Sequence, residues 1–203
     1  PLAYHSLPVM YIYAGAGWFI LIPVNTTGKN KKIFFQIFLI HFIMRSFFEK
    51  LKTRNRALFY FGMANLVAAI ICMLLILVTQ TQVLGINAWI KPFKFLISTA
   101  IFVFTMGWIM EYLQENRKVK VYSWVVIAVF AFENIYISYQ AASGQLSHFN
   151  ISNAFNEMMF SLMGIAISIM TLWTAYIGYL FFMKSFAALP RAYVWGIRLG
   201  IVF

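Results

Sequence analysis

Long apolar runs separated by short polar and basic connections make up most of this chain, and seven of them are predicted to be helical. The first extends from Leu7 to Val24 and is closed by Pro23 and the polar stretch Asn25-Thr26-Thr27-Gly28-Lys29. The second, Ile33 to Phe48, is short and interrupted by His41 and Arg45, so it either spans a bilayer or lies in its interface. The third, Leu58 to Val78, is clean apart from Asn65. The fourth, Phe93 to Leu113, is introduced by Lys91-Pro92, and proline suits a first helical turn. The fifth runs from Val121 to Tyr139, and the sixth from Met158 to Met183 with Ser161, Ser168, Thr171 and Thr174 inside it. The seventh begins near Ala192 and is cut at Phe203. A spanning helix needs roughly 20 apolar residues. The pattern therefore predicts an all-α polytopic membrane bundle of six to seven transmembrane helices, the last truncated. Residues 1–52 form an N-terminal pair of hydrophobic segments and residues 53–203 the main bundle. With Pro1 at one end and Phe203 in mid-run at the other, the chain looks trimmed at both ends.

Composition supports the membrane class. Hydrophobic residues are 63% of the chain and charged residues 10%, against about 25% charged in soluble domains. A water-soluble core of this size has no room for so much apolar surface. The net charge of +11 does not indicate nucleic acid, because Lys and Arg sit in the connections between apolar runs. Arg45, Lys50, Lys52, Arg54, Arg56, Arg117, Lys118, Lys120, Lys184 and Arg191 follow segments two, four and six. Lys29, Lys31, Lys32, Lys91 and Lys94 follow one, three and five, so the first set is expected on the cytoplasmic side. The loop from Gln140 to Glu157, which has no Lys or Arg, is then extracytoplasmic. The single cysteine, Cys72, excludes an intrachain disulfide.

Glu133 is the position most suggestive of chemistry. It lies in an apolar run, and an ionisable group there usually faces a partner, a cavity or a pathway. At helical spacing Glu133, Tyr136 and Gln140 share a face, with Asn134 and Ser138 beside it. By depth, Lys94 is the expected ion-pair partner and Arg198 its rival. The sequence leaves open both a structural ion pair and a carboxylate that exchanges protons or ligand. Ser152 or Asn153 is expected to cap a helix, with Glu157 in its first turns. Gly164/Ser168 and Gly196/Gly200 are small-residue spacings that allow close helix approach. Three scattered histidines, His5, His41 and His148, without HxxxH or CxxC spacing, give no expectation of a metal or cofactor. The sequence has no Asp and no nucleophile motif, so no catalytic residue is expected.

From about Leu58 onward the chain resembles a family of bacterial multi-pass membrane proteins with no established activity. The resemblance rests on residues 87–95 (Asn-Ala-Trp-Ile-Lys-Pro-Phe-Lys-Phe), Glu133, residues 140–150 and Arg198-Leu199-Gly200. It implies a bacterial cytoplasmic (inner) membrane setting and no substrate.

The functional expectation is an outward-facing polar pocket that binds or transports a small solute or proton. Lys91, Lys94, Glu133, Asn134, Gln140, His148 and Asn150 are its candidate ligand-binding residues. The alternative is a non-catalytic accessory or structural subunit of a larger membrane complex. The expected partners are the lipid bilayer and either partner membrane subunits or further copies of this chain.

Overall fold

The computed structural model describes residues 9–14, 18–23 and 28–202. The chain divides into two compact units, residues 1–49 and residues 50–203.

The first unit contains an antiparallel hairpin, β1 (Val9–Ala14) and β2 (Trp18–Pro23), and most of helix α1 (Gly28–Arg54). The hairpin pairs Val9 with Pro23 and Ala14 with Trp18. It replaces the helix expected over Leu7 to Val24. The cause is compositional: Val, Ile, Tyr, Phe and Trp dominate both strands, and these favour extended backbone. A continuous apolar run does not by itself separate helix from strand. Helix α1 extends the second segment at both ends, and the charges this adds leave it outside the set of spanning candidates.

The second unit is the bundle. Helices α2 (Arg56–Val78), α3 (Ile90–Ile109), α4 (Asn116–Ala142) and α5 (Ala154–Met183) each match a predicted segment, and a short α6 (Arg191–Val202) follows. Among the described residues four helices are long and apolar enough to cross a membrane: α2, α3 with its 3-10 extension Met110–Leu113, α4 and α5. This is fewer than the six to seven expected. Segment one is a hairpin, α1 is too charged, and α6 has 12 residues, about 18 Å of rise.

Local chemistry sets the helix ends. Asn55 Oδ1 accepts the Leu58 N–H at 3.1 Å and caps α2. Asn153 Oδ1 accepts the Asn156 N–H at 2.8 Å and caps α5, with Glu157 in the first turn as expected. Between α2 and α3 lies a small hairpin, β3 (Gln82–Val83) and β4 (Ile86–Asn87), absent from the predicted elements. Its turn residues Leu84 and Gly85 have φ of 53° and 78°. Two-residue hairpin loops favour such values, but Leu rarely supplies them, so the sequence carries no turn signal here. Asn87 ties the hairpin down: its Nδ2 donates to Thr79 O at 3.0 Å and its Oδ1 accepts from Trp89 N at 3.0 Å.

The core is apolar and spread over all five helices of this unit. Leu58, Val103, Met110, Tyr122, Val126, Ile177 and Phe181 are its buried centre. Gly62 of α2 leaves room for the Phe104 ring of α3, with which an added Cβ would collide. At one end of the bundle Arg54 donates to Trp108 O at 2.8 Å and Lys184 reaches Leu113 O. At the other, Lys91 meets His148. The basic connections thus gather at the end opposite Lys91 and Lys94.

Candidate functional site

Three polar groupings are set into this apolar frame, and the predicted pocket residues are distributed among them. The deepest lies between α2, α3 and α4. Asn134 Nδ2 donates to Asn65 Oδ1 at 2.9 Å and to Thr99 Oγ1 at 3.1 Å, and Asn65 Nδ2 donates to Phe61 O at 2.8 Å. Asn134 Oδ1 is the one fully buried side-chain polar atom without a partner among the described residues. Asn134 is thus a crosslink of the bundle through its amide nitrogen alone.

The second grouping joins α4 to the start of α5. Gln140 Nε2 donates to Asn156 Oδ1 at 2.9 Å and to Tyr136 Oη at 2.6 Å, and Tyr136 Oη donates to Asn156 Oδ1 at 3.2 Å. Asn156 Nδ2 in turn donates to Ser152 Oγ at 3.0 Å. Gln140 and Asn156 are 1% and 4% exposed, so these bonds have little competition from solvent. Asn156 is the hub of this network, and Thr99 is an acceptor in the first. Neither stands out in the sequence, where the only signal is a hydrogen-bonding residue beside or within an apolar run.

The third grouping is at the mouth. Lys91 Nζ donates to His148 Nδ1 at 3.0 Å, and Ser147 Oγ lies 3.1 Å from the same nitrogen. The Phe95 and Phe160 rings flank the imidazole at 5.8 and 6.1 Å between centroids. Asn150 takes no part in this contact. Its Nδ2 donates to Leu146 O and its Oδ1 accepts from Ser152 N, which holds the loop through Phe149 at φ 56°. A cleft of about 350 Å³ is lined by Lys91 and Lys94 together with Gln145 and Ser147. Glu133, Asn134, Gln140, His148 and Asn150 are not among its lining residues.

Glu133 stands one helical turn from Tyr136 on the same face and is 5% exposed. The expected pair with Lys94 does not form: among the described residues the one ion pair is Lys118–Glu115 at 3.5 Å. Lys94 is exposed at the helix start. Arg198 is committed elsewhere, its Nε donating to Phe181 O at 3.0 Å and its Nη2 to Lys184 O at 3.2 Å, so it closes the C-terminus of α5. Sequence supplies only depth along the helix axis, and depth does not fix which way a side chain faces. No hydrogen bond among the described residues reaches the Glu133 carboxyl either, and an unpartnered carboxyl in an apolar bundle is expensive to hold charged.

Burial, and then the adjacent Lys91 charge, push the His148 pKa below its ordinary value of 6.5. The unfolded loop binds the proton more readily than the folded one, so this contribution to stability is present above pH 6.5 and is lost as pH falls below it. Limited proteolysis in the 143–153 loop is expected to accelerate between about pH 7.5 and about pH 5.5. His148→Phe should flatten that dependence; an unchanged slope would assign it to another group.

Set against known proteins, the chain matches no family model, no curated protein and no solved structure.

Proposed function

We propose that the protein is an integral protein of the bacterial cytoplasmic membrane, crossed at least by α2 to α5, and that it binds or carries a small solute or a proton through the polar centre around Glu133. The observation that carries this reading is the isolation of Glu133. It is 5% exposed, is joined to no cation among the described residues and lies beneath the Tyr136–Gln140–Asn156 network. A structural role would require a partner. A carboxyl left without one is suited to take up a proton or a cationic or hydrogen-bonding ligand. The distribution of Lys and Arg supports an extracytoplasmic opening for the Lys91–Lys94 cleft, which Glu133 does not line.

The test is proton flux into liposomes containing the purified protein, read with an enclosed pH-sensitive dye under an imposed gradient. Glu133→Gln should abolish the flux while the variant still inserts. Flux equal to that of the parent protein would sink the proposal.

A second reading, an accessory subunit of a larger complex, is favoured by one observation. A Cβ added at Gly164, Gly196 or Gly200 would meet nothing, so both small-residue spacings lie open instead of packing within the chain. Mass measurement after mild detergent extraction separates the readings: a stoichiometric partner supports the subunit, a lone monomer opposes it.

A further inference from the structure

At the basic end of the second unit, the N-terminal turns of α2 and α4 line a cleft of about 650 Å³. Arg54 and Asn55 border it but are already engaged. Arg54 stacks 4.1 Å over the Trp108 ring and bonds Trp108 O, and Asn55 Nδ2 donates to Ser123 Oγ at 2.8 Å. Arg56 on α2 and Lys120 on α4 both line the cleft, are exposed and belong to no ion pair among the described residues. Glu111 is the one carboxylate lining the cleft and neutralises neither of them within ion-pair distance. Below the two cations stand Tyr60 and Trp124, both exposed, with Arg56 5.7 Å over the Tyr60 ring. Deeper still the walls are Phe61 and Ile127.

We infer that this cleft is a binding site for one anionic phospholipid. Its phosphate would sit between Arg56 and Lys120, its ester region beside Tyr60 and Trp124, and an acyl chain along Phe61 and Ile127. The order of chemistry along the cleft is cation, amphipathic aromatic, hydrocarbon, which is the order of a phospholipid from headgroup to tail. Free phosphate would use the cations and leave the apolar floor wet. A zwitterionic lipid would use the floor but bring its own cation to Arg56 and Lys120. The inference rests on the membrane reading but not on any role for Glu133, so it stands or falls separately from proton flux.

The test is native mass spectrometry of the full chain released from vesicles of equal parts phosphatidylglycerol and phosphatidylcholine, with inorganic phosphate as a separate arm. Retained phosphatidylglycerol is expected, and Arg56→Gln with Lys120→Gln should lower its affinity roughly 30-fold. A charge-matched control, Lys118→Gln with Arg191→Gln, should retain it. Equal loss in both double variants, equal retention of the two lipids, or retention of inorganic phosphate alone would overturn the inference. Should the cleft variant fail to insert, quenching of the parent protein by phosphatidylglycerol with brominated acyl chains decides. The quenching should fall on Trp124→Phe, and no change on that substitution would also overturn it.

Discussion

Asn156→Leu is expected to destabilise the bundle by about 2–4 kcal/mol, the largest loss among single substitutions at its polar positions. The substitution removes the acceptor used by Gln140 Nε2 at 2.9 Å and by Tyr136 Oη at 3.2 Å, and the donor used by Ser152 Oγ at 3.0 Å. Gln140 cannot turn to solvent for compensation, because it is 1% exposed. The neighbouring cap provides an internal scale: Asn153→Ala loses one bond to the Asn156 N–H and should cost about 1 kcal/mol. Thermal inactivation in detergent orders the two. The asymmetry of buried hydrogen bonds adds a sharper check. Removing both partners is less costly than stranding one, so Gln140→Leu combined with Asn156→Leu should be more stable than Asn156→Leu alone. If the double variant is no better, the network is not what holds the start of α5 to α4.

The four long helices are legible in the sequence because each needs only a window of apolar residues, which is local information. Pro92 in the first turn of α3 and Asn153 at the cap of α5 are legible for the same reason. The hidden features depend on residues far apart or on backbone conformations that side chains do not advertise. Asn134 is visible as a polar residue, but its partners Asn65 and Thr99 are 69 and 35 positions away. Leu84 takes a left-handed conformation that its side chain disfavours, so the β3–β4 hairpin leaves no trace in the pattern. The strands of residues 9–14 and 18–23 resemble a helix in sequence because aromatic and β-branched residues are apolar in either geometry. Of the candidate pocket residues, Lys91 and Lys94 line one cleft and Lys91 also meets His148, whereas Asn134 and Gln140 bond within the bundle and Asn150 bonds within its own loop. Polarity in an apolar run marks a residue that must find a partner; it does not say whether the partner is protein or ligand.

Glu133 is where that distinction becomes measurable, since no cation or hydrogen-bond donor among the described residues meets its carboxyl. Glu133→Leu is expected to raise resistance to thermal inactivation by about 1–2 kcal/mol, because it removes a largely buried carboxyl that meets no cation among the described residues and supplies apolar surface in its place. The same substitution should eliminate proton flux, and Glu133→Gln, which keeps the shape, should eliminate flux with a smaller change in stability. A loss of function that stabilises is the signature of a residue serving chemistry at the expense of the fold. Asn156→Leu should move stability the opposite way, although Asn156 lies on the network directly above. If Glu133→Leu instead destabilises as Asn156→Leu does, Glu133 has a partner within the membrane and belongs to the frame. The contrast in sign between the two substitutions, measured in one detergent and one assay, therefore separates a carboxyl that binds from one that braces.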